Sequence, residues 1–219
     1  MRNIRTSASA VVAVGLFLPR LGFTQPDFRK ASWGMTQAQV LATESGRPSD
    51  ISTIKSETMV TFDSLTLGGM SGRVVYIFAK DKLVRAKFLG EAEHADENEF
   101  IADFRATESF LKEHYGKLDT DRAIWEDDST QDETKSYLDQ DRAYATGILP
   151  SDRYVGLAVA LGHLKLYTSR SDARTEIWHI LTGKDHNFTH QVEYRSRELE
   201  GLERIVREER TERQVQRPK

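Results

Sequence analysis

The chain has 219 residues, 30% of them charged and 38% apolar, with a formal net charge of −3 and no cysteine. That mix belongs to a folded globular protein rather than a disordered one. It excludes disulfides, thiol nucleophiles and thiolate-bound zinc or iron–sulfur centres, and a mildly acidic chain without a basic cluster is a poor match for nucleic acid or anionic lipid.

Arg2 and Arg5 precede an apolar run from Ala8 to Leu18, and no acidic residue occurs before Asp27. A positive lead followed by a short apolar stretch reads as a secretory signal. The run falls short of the roughly 20 apolar residues that span a bilayer. Gly22 and Thr24 offer small residues for cleavage before Gln25. Removing residues 1–24 takes away Arg2, Arg5 and Arg20, so 28 basic residues face 34 acidic ones and the mature charge is −6. The expected location is periplasmic or secreted. No cysteine follows the apolar run, which excludes a lipid anchor at the mature N-terminus. The other readings of the run are an uncleaved anchor and an apolar helix of the fold.

Thr36-Gln37-Ala38-Gln39 has the form of a capping box, with Met35 and Val40 placed as a hydrophobic staple. Gly46 and Pro48 close the segment, so a short helix is expected over 36–45. Strand chemistry follows: Met59 to Phe62, then a hairpin of Arg73–Ala79 and Leu83–Leu89 around Lys80-Asp81-Lys82, entered through a loop holding Gly68, Gly69 and Gly72. Residues 91–98 form an acidic linker. Phe100, Phe104, Thr107, Leu111 and Tyr115 then share one face of a helix over 98–115, with Asp96 or Asn98 as cap and Gly116 as stop.

Beyond it, Ala123–Trp125 reads as a strand, 127–140 as a polar loop and 141–149 as a short helix stopped at Pro150. Tyr154–Gly162 fits helix and strand equally. Leu164–Thr168, Thr175–Thr182 and Phe188–Tyr194 read as strands, with a turn at 183–187. The tail carries Glu200–Arg204, Glu203–Arg207 and Glu209–Arg213 at i,i+4 spacing, with Leu199, Leu202 and Val206 as a narrow apolar stripe. A helix is expected whose first half docks and whose second half projects into solvent.

The fold class is therefore α+β. The expected organisation is a signal at 1–24, a first helix-and-hairpin unit at 25–90, a second unit at 91–195, and a charged C-terminal helix at 196–219. The order helix, glycine, short strand, hairpin recurs with an offset of 70 residues between Gly46 and Gly116. With few identities this is a pattern of elements rather than a proven repeat.

Trp33-Gly34-Met35-Thr36-Gln37-Ala38-Gln39-Val40 with Gly46 and Pro48 resembles the signature helix of the SmpA/OmlA (BamE-like) small outer-membrane protein domain, which exits through Gly-x-Pro into a β-hairpin. The resemblance covers residues 33–89. Secreted β-lactamase-inhibitor proteins look similar, as tandem copies of such a unit. The resemblance implies a binding or scaffolding role and brings no catalytic residues.

The residues themselves mark no catalytic centre. No Gly-x-Ser-x-Gly elbow, phosphate loop or dinucleotide fingerprint occurs. His179, His186 and His190 can be imagined converging on a metal across a hairpin, but the favoured reading is three separate surface or turn histidines, since no carboxylate lies at zincin-like spacing. The remaining histidines are His94, His114 and His163. Asp127 to Glu133 is rich in oxygen ligands yet lacks the glycine and distal glutamate of an EF-hand loop. No metal, no cofactor and no catalytic residue is expected. Trp33, Trp125 and Trp178 are expected in the core. The function expected is a non-catalytic envelope module that binds another protein, with a secreted enzyme inhibitor as alternative and a hydrolase with an unmarked site as the second alternative.

Overall fold

The computed structural model describes residues 26–125 and 152–215. The expected signal at 1–24, the expected loop at 127–140 and the expected helix at 141–149 lie outside the described residues. The described chain runs α1 (Gln37–Thr43), β1 (Asp50–Ile54), β2 (Glu57–Leu67), β3 (Met70–Ala79), β4 (Lys82–Gly90), α2 (Glu97–Tyr115), β5 (Thr120–Trp125), α3 (Asp152–Ala160), β6 (Leu164–Ser171), β7 (Thr175–Lys184), β8 (Asn187–Ser196) and α4 (Glu200–Val215). The class is α+β. All eight strands belong to one antiparallel sheet, ordered β1-β2-β3-β4-β8-β7-β6-β5. Each half of the chain contributes four strands, and the halves meet where β4 pairs with β8.

The hairpins follow from their turn residues. Lys80-Asp81 and Asp185-His186 all have positive φ, the geometry of a two-residue turn whose twist suits the flanking strands. These turns set the registers Ala79↔Lys82 and Lys184↔Asn187. The strands run further than the sequence suggests, and Gly72 lies inside β3 rather than in a loop. A Cβ there would come 2.2 Å from the Leu89 carbonyl oxygen, so close strand approach selects glycine.

Helix α1 is capped as its sequence implies. The Thr36 hydroxyl accepts from the Gln39 backbone N–H, and the Gln39 side chain accepts from the Thr36 N–H. Thr36→Ala should therefore cost about 1 kcal/mol, read as a shift of the urea midpoint at constant slope. The helix stops at Thr43, with Glu44 extended. Gly46, at φ +132°, lies beyond the cap rather than in the expected left-handed closing position.

Two layers flank the sheet. On one face lie α1, α2 and α3. Val40 of α1 and Leu111 of α2 join Val60, Phe62, Tyr76, Phe88, Val192 and Tyr194 in the main core. Phe104 of α2 and Val155, Ala158 and Val159 of α3 join Leu164, Leu166 and Leu181 in a second core. The ambiguous 154–162 segment is thus helical because its apolar residues are shared between the sheet and α2. At Gly156 a Cβ would lie 2.5 Å from the Glu97 carbonyl carbon, so the two helices cross in near backbone contact.

The other face carries only α4 among the described helices. Val206, Leu202 and Leu199 pack with Ile77, Ala79, Val84 and Met59, over β3 and β4. The expectation that the second half of α4 projects into solvent is corrected at Glu209 and Arg210. Lys55 Nζ donates to the Glu209 carbonyl, Ser56 Oγ donates to Glu209 Oε2 at 2.9 Å, and Arg210 Nη1 donates to the buried Glu57 at 2.7 Å. The apolar stripe does end after two turns, but polar contacts to the β1–β2 turn carry the docking onward.

Candidate functional site: an open sheet face and a buried histidine pair

Strand alternation sends every second residue to the face that α4 shares. The registers arrange these residues in rows across five strands. One row runs Leu89, Gln191, Ile180, Tyr167, Arg122 from β4 to β5. The next runs Lys87, Glu193, Trp178, Ser169, Thr120. Ile124 stands opposite Lys165 at the far edge. With strands about 4.8 Å apart, the panel is about 19 Å wide.

Among the described residues no helix lies over the β5–β7 part of this panel. Tyr167, Trp178 and Ile180 are partly exposed and Ile124 is exposed. The expectation that Trp178 is a core residue is therefore corrected: its ring faces outward, with the Arg195 guanidinium 4.4 Å from its centroid. Trp33 is buried, donating from Nε1 to Thr175 Oγ1 at 2.9 Å, and Trp125 packs partly buried on the second core.

An ion-pair network fixes the panel's border with α4. Arg85 and Arg195 stand directly opposite across β4 and β8, a repulsive placement by itself. Two buried acids relieve it. Glu193 lies within 3.4 Å of Arg85, Lys87 and Arg195, and Glu203 of α4 lies within 3.5 Å of Arg85, Arg195 and Arg207. Burial pushes the Glu193 carboxyl up, but Lys87, Arg85 and Arg195 outweigh it and hold the group below the usual range.

On the opposite face of β7 and β8 lie the histidines. His179 and His190 are both buried, and their Nε2 atoms are 2.8 Å apart. They are diagonal neighbours, because His179 pairs with Val192 and His190 with Leu181. Phe104 stacks on His179 at 4.0 Å and 15°, and Thr168 Oγ1 lies 3.2 Å from His179 Nδ1. This overturns the reading of three separate surface or turn histidines for two of the three. His186, in the exposed turn, instead meets Glu97 at 3.3 Å. The register of the β7–β8 hairpin is the signal that would have paired them: a two-residue turn at Asp185-His186 puts 179 and 190 on one face, whereas a turn spread over 183–187 leaves the alignment open.

Burial pushes His190 down to about 4, partly countered by Asp103, and pushes His179 well below its ordinary value, with His190 and Arg105 adding to the effect. Both imidazoles are neutral at pH 7. His94 is held between Glu99 at 3.0 Å and Asp103 at 2.7 Å. Among the described residues no three histidines, aspartates or glutamates gather as metal ligands. The acidic stretch 127–133 lies outside the described residues. No described helix is long and apolar enough to cross a membrane.

Compared with family models, with curated proteins and with solved structures, the chain matches none of them.

Proposed function

We propose that this protein is an exported, non-catalytic interaction module of the bacterial envelope, and that it docks another protein on the panel of β4 to β8. The observation that carries this reading is the cluster of partly exposed Trp178, Tyr167 and Ile180, from two adjacent rows, on a face without a covering helix among the described residues. Tryptophan, tyrosine and arginine dominate binding energy at protein interfaces. A contiguous apolar patch rimmed by charge is the usual mark of such a site. Here Arg122, Lys165, Lys87 and Arg195 supply the rim, and the buried Glu193 and Glu203 hold Lys87 and Arg195 in place. Export rests on the Arg2, Arg5 and Ala8–Leu18 pattern.

The test is capture from an envelope extract by immobilised protein. Changing Trp178 and Tyr167 together to alanine should weaken capture of a specific species at least tenfold, because each hot-spot truncation costs about 2 kcal/mol. Both side chains are partly exposed, so stability should change little. Capture of a soluble enzyme would assign the inhibitor role instead. Equal capture by the double variant would remove the panel from the reading.

A further inference from the structure

The His179–His190 pair can hold one shared proton but not two. With Nε2 to Nε2 at 2.8 Å, one nitrogen must donate and the other accept. The arrangement that leaves no N–H orphaned has His190 donating from Nε2 to His179 Nε2, and His179 donating from Nδ1 to Thr168 Oγ1. His190 Nδ1 is then a bare acceptor, and it is buried without a hydrogen-bond partner. A proton arriving there has no buried acceptor to meet. A second proton on the pair would set two N–H groups against each other.

We infer that this pair is an acid-operated latch, whose protonation releases the α2–α3 layer from β6–β8. The surroundings give the release a direction. α2 supplies Asp103, which attracts charge on His190, and Arg105, which opposes charge on His179. The segment before α2 supplies His94, already bound to Asp103. β6 supplies the neutral Thr168. α3 adds only apolar Val155, Ala158 and Val159 to the core that Phe104 shares. Near His190 the β2–β4 half supplies Met70 and Gly90, also uncharged. The one acid acting on His190 sits on the partly exposed side of α2, so a charged imidazole is drawn out of the sheet toward it.

The sign and window follow from linkage. An unfolded histidine titrates near 6.5, while His190 in the fold titrates near 4. The stability held by the neutral pair is complete above about pH 6.5 and is lost as pH falls toward 4. For His190 alone this multiplies the opening equilibrium about 70-fold at pH 4.5 and about 300-fold well below pH 4. Carboxylates such as Glu108 and Glu193, held below their usual values, begin to lose their contribution near the unfolded carboxylate value of about 4.3, at the foot of this window, so His190→Gln is needed to separate the two effects. His179 lies between Trp178 and Ile180 on β7, so opening also disturbs the panel; that consequence alone rests on reading the panel as a docking surface.

Amide exchange of the full chain at pH 7.5 and 4.5 tests the latch without any partner. Amides of α2, β7 and β8 should lose protection by about 70-fold or more, corrected for intrinsic exchange, and His190→Gln should diminish that loss at least severalfold. His114→Gln, at the exposed end of α2, should leave it intact. Imidazole signals of the unmodified protein provide the second readout, which needs no variant: the two buried rings should stay neutral to below pH 5 and gain protons together with the loss of protection. Equal protection at both pH values, or an ordinary titration near 6.5 without opening, would overturn the inference, as would an undiminished response in His190→Gln.

Discussion

Replacing Phe104 with alanine should lower the stability of this protein by about 3–5 kcal/mol, the usual cost of deleting a fully buried aromatic ring. Phe104 is 0% exposed and sits where α2 meets the sheet. One face of its ring stacks on His179, and its edges reach the core of Val155, Val159, Leu164, Leu166 and Leu181. The cavity cannot close easily, because α2 and α3 are already in near backbone contact at Gly156. Removing the ring also uncovers the histidine pair, so the loss includes packing on two polar rings that need a dry, fixed environment. Phe104→Leu keeps most of the volume and should cost no more than about 1.5 kcal/mol. Ile205→Ala, on the exposed side of α4, should fall within about 0.5 kcal/mol of wild type. Urea titration of the three variants checks the order; a loss below about 1.5 kcal/mol for Phe104→Ala would mean that the second core is not the rigid unit described.

The helical face of Phe104 was readable because its period is local. Phe100, Phe104, Thr107, Leu111 and Tyr115 recur at helical spacing, and the cap Asp96 and the stop Gly116 bound them. The capping box of α1 and the two hairpins were readable for the same reason: their signals lie within four or five residues. What the sequence could not show is which sheet face is covered. Ile177-Trp178-His179-Ile180-Leu181 alternates between two faces that are both largely apolar, so nothing local marks Trp178 and Ile180 as the outer pair. That depends on where α2, α3 and α4 settle, and only long-range packing decides it.

The candidate site was correspondingly hard to read. The panel draws residues from β4, β5, β6, β7 and β8, and its rows exist only after the two halves join at β4 and β8. The histidine pair needed the exact hairpin register, which a one-residue slip would reverse. The docking of the distal part of α4 was missed because polar and backbone contacts carry it, with no apolar stripe to announce it.

Arg29→Met should cost about 3 kcal/mol at pH 7, although it alters a partly exposed side chain. Its partner decides the size. The Glu44 side chain is 1% exposed, and Arg29 approaches it with Nε at 3.0 Å and Nη2 at 3.3 Å. Tyr76, itself fully buried, donates its hydroxyl to the same carboxylate. Burial and then Glu44 hold the Tyr76 phenol protonated far above its ordinary range, so the hydroxyl remains a donor at any working pH. Removing the guanidinium leaves a buried carboxylate with only a neutral donor, and breaking a buried pair from one side typically costs about 3–5 kcal/mol. The lower end applies because the Arg29 end of the pair reaches water. Backbone strain does not enter, since residue 29 keeps φ near +53° whichever side chain it carries. The second substitution Glu44→Gln removes the stranded charge while keeping an acceptor for Tyr76. The double variant should therefore recover more than half of the loss, and a thermodynamic cycle on urea midpoints measures the coupling. A cost below about 1 kcal/mol for Arg29→Met would mean that water, not Arg29, solvates Glu44. The cluster would then be an ordinary surface pair, not a pin that ties the 26–33 segment and the end of α1 to β3.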